Sequence, residues 1–482
     1  MKKLIRIGLC LLFSFMVACS PPADETQEPS ASADNEYHAT LDAVLAERSF
    51  HRSKEAVLWS QPLMGVALTL DAIRKLGGDF NDIAYLSQPS NWKWQILTPN
   101  SVSLYVTSVI RITANEPMVV EVPAVTSHTD VFGTIMDSFQ VPLIDVGSKG
   151  ADKGEGGKYL ILPAAYDGDV PDGYIPVRTE RNISFFNFRA IPSSFSEEDM
   201  AATNEFIAAI NIYPLHAPEQ RSQHIDAFDQ VFNTVEPVDS VYFDVMTEIL
   251  NQETIVQRDL VMMGMLRSIG YNHGETFNPS PEKRDMLSRA VSSAQNDLVL
   301  MARDIAGPWW AGNPGWLQPI KPVGPLTQFK YVSDSNFATD ARAETFSLYC
   351  CAPVTLGSAS AYILATRDTN GDALDSRNNY SLHVPDNVPV RQFWSLTAYD
   401  ARVAVFFAGV ANTDISSLDD SLQYNPDGSI DLFVGPDAPV GKESNWIETN
   451  SDNNAVFLFR FYGPEADAKD GSWTMTGFEK LE

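Results

Sequence analysis

Residues 455–462 read Ala455-Val456-Phe457-Leu458-Phe459-Arg460-Phe461-Tyr462, and this run carries the strongest fold signal in the chain. Aromatic and β-branched residues are typical of a strand, and Gly463-Pro464 ends it. Side chains of a strand alternate between two faces, so Arg460 shares a face with Val456 and Leu458, opposite three phenylalanines. The run therefore predicts a buried strand that carries one charged side chain.

Short strand patterns surround this run and recur in the first half of the chain. Residues 392–399 alternate, and residues 429–434 follow the turn signal Asp427-Gly428. Similar runs occupy 92–190, whereas 37–76 and 196–305 have the apolar spacing of helices, including one helix over 241–269. The pattern predicts a mixed, mainly β protein with two antiparallel β-sandwiches joined by a helical segment.

The changes in pattern divide the chain into six predicted parts. They are a signal peptide at 1–19, a disordered tether at 20–36, an N-terminal helix plus β-sandwich domain at 37–192, a helical segment at 193–306, an aromatic Gly/Pro linker at 307–339 and a C-terminal β-sandwich domain at 340–482.

The N-terminus has the pattern of a lipoprotein signal. A short basic start with Lys2, Lys3 and Arg6 precedes an apolar run, and small residues then precede Cys19. The thiol of a new N-terminal cysteine carries the diacylglyceryl group, and two or more acyl chains give stable anchoring. Ser20 follows the cysteine, without the aspartate that favours the inner membrane. We therefore expect a lipidated Cys19 and an outer-membrane lipoprotein on the periplasmic side; the alternative is an ordinary signal peptide with an incidental cysteine.

The bulk composition limits the partners of the mature chain. Net charge is -28 over 482 residues, which disfavours nucleic acid and anionic lipid surfaces. After the signal, no uninterrupted apolar stretch of the roughly eighteen residues of a membrane span is present. The lipid anchor is thus the expected contact with the membrane. We also expect the protein to bind an unknown small molecule or envelope partner.

Cysteine and histidine usage gives no metal-binding pattern. The pair Cys350-Cys351 predicts either a strained disulfide ring or two strand residues facing opposite ways. The seven histidines are scattered, with no ligand spacing. We expect neither a metal site nor a cofactor.

Three further features each allow two interpretations. Residues 368–375 suit either a calcium loop or a hairpin turn with Asx hydrogen bonds. The glycine-rich stretch 147–158, with Lys149, Lys153 and Lys158, suits either an anion cradle or a flexible β loop. Trp309, Trp310 and Trp316 are candidate aromatic ligand contacts, with packing of the linker as the favoured alternative.

The C-terminal motifs resemble the bacterial domain of unknown function 1214. The resemblance rests on motifs in the order Tyr-x-Leu, Pro-x-x-x-Phe-Trp-Ser-x-Thr-x-Tyr-Asp, Asp-Gly-Ser, Asn-Trp and Arg-x-Tyr-x-Pro. Their counterparts here are Tyr380-Ser381-Leu382, the segment 389–400, Asp427-Gly428-Ser429, Asn445-Trp446 and Arg460-Phe461-Tyr462-Gly463-Pro464.

The first half resembles the partner domain of unknown function 1254. Matching positions are Pro62-Leu63, Pro99-Asn100, Tyr105, Val122-Pro123 and Arg178-Thr179. Val102-Ser103 stands where that family has Asp-Thr, so a site built on the aspartate is altered here. The resemblance implies an immunoglobulin-like sandwich, a helical segment and a jelly-roll-like sandwich, and it implies no activity.

The shared polar residues form the candidate ligand or structural site. They are Asn100, Tyr105, Tyr399, Asp400, Asn445 and Arg460. A buried guanidinium needs partners, which predicts an Arg460–Asp400 pair with a structural role. We expect a ligand- or partner-binding protein with a cleft between domains; the alternative is a hydrolase acting on an envelope or imported substrate, with catalytic residues unknown.

Overall fold

The computed structural model describes residues 31–113, 115–302, 307–313, 315–318, 329–333, 335–351, 354 and 360–481. The chain forms two compact units, Met1–Arg48 and Ser49–Glu482. The predicted signal peptide with Cys19, and residues 20–30 of the predicted tether, lie outside the described residues. In the first unit the described residues belong to a helix, and the second unit holds both sheet-rich regions.

The strands of the first sheet-rich region follow one another from Ile83 to Asn233. They are β1 (Ile83–Tyr85), β2 (Trp94–Gln95), β3 (Leu104–Arg111), β4 (Met118–Val122), β5 (Thr129–Asp137), β6 (Pro142–Gly147), β7 (Gly157–Pro163), β8 (Tyr174–Thr179), β9 (Ile183–Pro192), β10 (Asn211–Pro214), β11 (His224–Asp226) and β12 (Phe232–Asn233).

Two sheets of this region pack face to face as a sandwich. A six-stranded sheet has the order β11-β1-β3-β9-β5-β6, and a four-stranded sheet has the order β10-β4-β7-β8. Val106 and Phe186 from the first sheet meet Val120 and Ile161 from the second in one buried apolar cluster. Strand alternation then leaves Tyr105 and Phe185 on the opposite, outer face of the six-stranded sheet.

Helices cover this outer face. They are α1 (Ala31–Lys75), α3 (Val241–Leu250), α4 (Leu260–Ser268) and α5 (Pro281–Ala302), with a 3-10 turn at Gln257–Asp259. Helix α2 (Glu197–Ala209) packs instead against the core between the two sheets. Residues 56–73 of α1 and the buried faces of α3, α4 and α5 share a core with Tyr105 and Phe185. The six-stranded sheet is therefore buried on both faces.

The second sheet-rich region begins after a helix and forms another sandwich. Its elements are α6 (Thr339–Leu348), β13 (Ser360–Ala365), β14 (Tyr380–Val384), β15 (Val390–Asp400), β16 (Asp414–Ser416), β17 (Ile430–Gly435), β18 (Trp446–Glu448), β19 (Ala455–Pro464), α7 (Asp467–Asp470) and β20 (Glu479–Lys480), with a 3-10 turn at Glu443–Asn445.

The core of this sandwich lies between sheets of order β13-β19-β15-β16 and β18-β17-β14-β20. Leu396 and Phe459 from the first sheet meet Leu382 and Leu432 from the second. The predicted fold class is confirmed: two mainly antiparallel β-sandwiches are separated in sequence by a helical segment. Parallel pairing occurs at β1–β11, β2–β12, β7–β8 and β17–β18.

Several elements differ from the predicted pattern. Helix α1 begins at Ala31, inside the predicted tether, and β10 and β11 carry the first sandwich past residue 192. The predicted helix over 241–269 is broken after Leu250, because residues 252–253 hydrogen-bond the turn before β9: the Asn182 N–H donates to Glu253 Oε2 over 2.9 Å.

Within the described residues, His38–Lys75 is long and apolar enough to span a bilayer, but 83% of its most apolar window is buried, as in a core helix.

Candidate functional site

The outer faces of one sheet from each sandwich meet in a polar layer. On β9, Phe186 and Phe188 point into the first core, so Asn187 and Arg189 point outward. On β19, Phe457, Phe459 and Phe461 point into the second core, which turns Arg460 and Tyr462 outward. The alternation predicted for 455–462 thus places Arg460 toward the first sandwich.

Arg460 is a buried junction between the two sandwiches. Its Nη1 donates to Thr397 Oγ1 over 2.7 Å, and its Nη2 donates to Tyr399 Oη over 2.6 Å and to the Thr98 carbonyl over 3.0 Å. The Tyr399 hydroxyl in turn donates to the Pro99 carbonyl. These partners are neutral oxygens from both halves of the chain, so Arg460 ties the halves together.

The predicted Arg460–Asp400 pair is wrong. In the β15–β19 register, Asp400 lies opposite Ala455 and Ser395 lies opposite Arg460. Asp400 is therefore five residues along the strand from Arg460 and on the other face. Its Oδ2 instead accepts from Ser451 Oγ at 2.8 Å and from Asn453 Nδ2 at 2.7 Å.

A second arginine, Arg189, lies near Arg460 and shares a tyrosine with it. Arg189 Nη1 donates to Tyr362 Oη over 3.3 Å, and the Arg460 guanidinium carbon lies 5.3 Å from the Tyr362 ring centre. Burial alone raises the pKa of Tyr362, but the two guanidinium charges and hydrogen bonds from Ser360 and Arg189 outweigh it and lower that pKa to about 8. Tyr362 is consequently the phenol nearest to titration at neutral pH in this layer.

Asn100 and Tyr105 form the turn that leads into β3. The Asn100 N–H donates to Tyr105 Oη over 2.9 Å, and Asn100 Oδ1 accepts from the Val102 N–H at 3.0 Å and Ser103 Oγ at 2.8 Å. This Asx turn fixes the backbone before the strand. Asn100, Tyr105, Tyr399 and Arg460 thus lie in one region, which does not include the predicted Asp400 and Asn445.

A cavity of about 250 Å³ opens beside this layer. Its apolar wall includes Val102, Phe132 and Ile191, and the stacked rings of Phe393 and Tyr462, 4.1 Å apart, form one side. Its charged residues are Lys149, Arg189 and Arg391 against one carboxylate, Asp130. The Tyr462 hydroxyl is buried without a hydrogen-bond partner among the described residues. The cavity therefore has a surplus of positive charge.

The glycine-rich loop after β6 places Lys149 at the cavity rim. The Gly147 N–H donates to Asp152 Oδ1 over 2.7 Å, and the Ala151 N–H donates to the Asp145 carbonyl over 2.9 Å. Gly147 has φ +91°, which glycine adopts without the strain that a side chain would add. The loop is thus a fixed turn, and it contributes a single cation to the cavity.

Other predicted site residues lie elsewhere. Asn445 is fully buried within the second sandwich, where its Nδ2 donates to the Gln423 and Asp431 carbonyls, each over 2.9 Å. Trp310 and Trp316 are buried in the core of the same sandwich, and Trp309 Nε1 donates to the Ala468 carbonyl over 2.8 Å. The prediction that the three tryptophans contact a ligand is therefore corrected: their rings pack against protein atoms.

Two alternatives from the sequence are also resolved. In 368–375, Asp368 Oδ1 accepts from the Asn370 and Asp372 N–H groups at 2.9 and 3.0 Å, which is the Asx turn. Cys350 and Cys351 are free thiols that follow α6 rather than lying in a strand, so neither predicted arrangement holds. Cys350 Sγ accepts from Asn187 Nδ2 at 3.8 Å.

Sequence reasoning missed Arg189, Tyr362 and Arg391. Arg189 had a usable signal, because it interrupts the apolar strand 183–190 just as Arg460 interrupts 455–462. The sequence pattern does not predict the strand that holds Tyr362, so it does not indicate the face on which this side chain lies. Arg391 lies beside the shared Phe-Trp-Ser motif, where nothing distinguishes it from an exposed surface charge.

Comparison with known protein families finds one match in each half of the chain. The family described as protein of unknown function (DUF1254) matches residues 80–214, and protein of unknown function (DUF1214) matches residues 359–466. The two matches confirm the predicted resemblance to proteins that pair these two domains. Asn100, Val102 and Arg189 lie in the first match, and Phe393, Arg460 and Tyr462 lie in the second.

The fold of one solved structure resembles that of this chain, and a second aligns less well. The VPA0106 protein from Vibrio parahaemolyticus aligns over 90% of this chain and 100% of its own, with 16% identity and a TM-score of 0.53. An uncharacterized protein from Burkholderia cenocepacia aligns over 91% of this chain and 96% of its own, with 12% identity and a TM-score of 0.41. No curated protein matches the chain.

Proposed function

We propose that this protein binds a small carboxylate ligand in the cavity beside Arg189. The observation that carries the proposal is the charge of the cavity. Within the described ranges, Arg189, Lys149 and Arg391 form no ion pair with a carboxylate, although the whole chain has a net charge of -28. A half-buried guanidinium without an anionic partner favours an anion, and Arg binds carboxylates through two parallel hydrogen bonds.

The walls of the cavity favour an apolar body on that ligand. The Arg189 guanidinium carbon lies 4.8 Å from the Phe132 ring centre, and Val102 and Ile191 are close by. Val102 is uncharged, so this part of the wall carries no negative charge that would repel an anion. A volume of about 250 Å³ suits a molecule of the size of benzoate, since benzene fills a cavity of about 150 Å³.

Calorimetric titration with benzoate, and with uncharged benzyl alcohol, tests the proposal. We expect saturable 1:1 binding of benzoate and much weaker binding of the alcohol. Arg189→Met should weaken benzoate binding about tenfold or more, as for a lost hydrogen bond to a charged group. Arg377→Met is the matched control, because Arg377 is exposed and pairs with Asp375. Equal affinities for both probes, or an unchanged affinity in Arg189→Met, would contradict the proposal.

A second candidate function, hydrolysis of an envelope or imported substrate, is favoured by one contact. Ser360 Oγ lies 3.0 Å from Tyr362 Oη, whose pKa is lowered to about 8. A phenolate accepting from a serine hydroxyl is a nucleophile–base arrangement. We expect Ser360→Ala and Tyr362→Phe to abolish ester turnover if the candidate is right. Turnover of nitrophenyl esters that survives both substitutions, or is absent from the parent, rejects it.

We further propose that the protein is anchored by a lipidated Cys19 on the periplasmic side of the outer membrane. The basic start, the apolar run, the small residues before Cys19 and the following Ser20 support this placement. A lipid anchor would hold the ligand cavity in the periplasm, where imported or envelope-derived carboxylates pass.

A further inference from the structure

A second cavity lies on the other part of the same sheet face. It has a volume of about 290 Å³ and lies between the outer face of the six-stranded sheet, helices α1, α5 and α6, and the turn at residues 401–404. Thr107 and Asn187 line it from β3 and β9, whereas Arg189 lines the first cavity. The two cavities share no lining residue.

Two buried polar atoms on the wall of this second cavity have no partner. Trp94 Nε1 and Asn187 Oδ1 make no hydrogen bond within the described part of the chain, and their residues are only 2% and 7% exposed. Buried polar atoms in folded proteins are nearly always hydrogen-bonded, so an unpaired donor and an unpaired acceptor at one cavity call for an occupant. That occupant must accept from the indole N–H and donate to the amide oxygen.

The charge of this cavity disfavours an anion. Glu236 lines the wall, and its Oε2 accepts from Gln61 Nε2 at 3.1 Å and Gln295 Nε2 at 3.3 Å. Burial raises the pKa of Glu236 to about 7, although these two hydrogen bonds lower it. The cation at this cavity, Arg402, is exposed at the turn. An uncharged ligand fits these groups, because a carboxylate would face Glu236 without a buried cation.

Aromatic rings form much of the remaining wall. Trp94 stacks on Phe232 with ring centres 4.3 Å apart, and Phe185 and Phe346 also line the cavity. Flat rings stack favourably on such walls. The volume is about twice that of a cavity known to hold one benzene molecule, which corresponds to two fused rings.

We propose that this cavity is a second binding site, for a neutral molecule of about two fused aromatic rings that bears a hydroxyl group. The hydroxyl oxygen accepts from Trp94 Nε1–H, and the hydroxyl proton is donated to Asn187 Oδ1. The site differs from the carboxylate cavity in its walls, its charge and its ligand, and it stands whether or not that cavity binds benzoate.

Equilibrium dialysis with three naphthalene probes tests this site. We expect 2-naphthol to bind at one molecule per chain, naphthalene to bind about tenfold more weakly because it satisfies neither polar atom, and 2-naphthoate to be excluded from this site. Dialysis of 2-naphthoate is done with Arg189→Met, so that the first cavity does not contribute. Binding of 2-naphthol and naphthalene with equal affinity, or of neither, would overturn the proposal.

Two variants locate the binding. Trp94→Phe keeps a ring in the stack with Phe232 and removes the donor, so it should weaken 2-naphthol binding severalfold and weaken naphthalene binding less. Val403→Trp should block the cavity from the half-buried turn at its edge and abolish binding of both probes. Circular dichroism of each variant checks folding, and if Trp94→Phe does not fold, Val403→Trp alone decides. Unchanged 2-naphthol affinity in folded Val403→Trp would contradict the assignment.

Discussion

At the level of single residues, Arg460 shows why a buried charge in this protein is structural. Its donors reach two side chains of the second sandwich and a carbonyl that precedes β3 of the first. Removing a buried charged donor leaves these oxygens unsatisfied, and each such loss costs about 1–3 kcal/mol. The residue therefore acts as a link between the two sandwiches rather than as a reactive group.

Arg460→Met should lower the free energy of unfolding by about 3–5 kcal/mol, because the oxygens of Thr397, Tyr399 and Thr98 each lose a donor at about 1–3 kcal/mol. Urea denaturation measures the loss. Arg377→Met, which removes an exposed ion pair, should change stability by less than about 1 kcal/mol. An Arg460→Met midpoint equal to that of the parent would show that the network adds no stability.

Tyr362 should titrate near pH 8, because Arg189 and Arg460 favour its phenolate. An acidic group whose pKa is lower in the folded than in the unfolded chain adds stability above its unfolded pKa, near 10, and loses it as the pH falls through about 8. The parent should therefore gain stability relative to Tyr362→Phe between pH 8 and pH 10. Phenolate absorbance should show one tyrosine titrating near pH 8 that is missing in Tyr362→Phe; identical curves would refute this.

At the level of elements, the end of β6 depends on a glycine. A Cβ added at Gly147 would overlap the Val131 carbonyl on the neighbouring strand β5, and its φ of +91° is itself unfavourable for other residues. The loop that follows carries Lys149 to the carboxylate cavity. The close approach of the backbone at Gly147 thus determines the position of Lys149.

Gly147→Ala should destabilise the protein by about 2–4 kcal/mol, since strain and overlap add. Gly173→Ala is the matched control: Gly173 has φ +86° with no atom within 4 Å of an added Cβ, so about 1 kcal/mol is expected from strain alone. Thermal unfolding of both variants gives the comparison. Equal losses in the two variants would mean that the overlap with Val131 is relieved by a small shift.

The elements also show what the sequence could predict. Strand β19 and its two faces follow from the alternation of 455–462, and Ser196 marks α2, where its side chain accepts from the Asp199 N–H. Helix α6 was missed because it buries Arg342 and Glu344, so its polar residues do not mark an exposed face. The partner of Arg460 was mispredicted because the strand register that decides it is not encoded near either residue.

At the level of the whole molecule, the candidate site exists only where two sandwiches meet. Arg189 and Tyr362 are 173 residues apart, and their contact depends on two outer sheet faces packing together. The sequence motifs point out four residues of this region: Asn100, Tyr105, Tyr399 and Arg460. The cavity, its surplus of positive charge and its apolar wall are formed only by the packing of the folded chain and are not visible in the motifs. The chain has a net charge of -28, so its overall composition does not indicate the local positive charge of this cavity.

Lipid anchoring is the prediction that concerns the whole chain. Cys19→Ser removes the thiol that would carry the diacylglyceryl group, so we expect the variant to be uncleaved at that bond and mis-sorted. Membrane fractionation and mass spectrometry of the N-terminus measure both effects in the full-length chain. A Cys19→Ser protein that is still cleaved before residue 19 and sediments with outer membranes would exclude the lipoprotein assignment.

The central claim is that Arg189 is the anchor for a carboxylate, and the most direct measurement is the NMR signal of its own Nε–H group. In protein labelled with ¹⁵N-arginine, Arg189→Met assigns the signal by its disappearance, and benzoate is then titrated into the parent. We expect the Arg189 signal to move in a saturable way while that of exposed Arg377 stays in place. An Arg189 signal that does not move, or one that moves linearly together with Arg377, would contradict it.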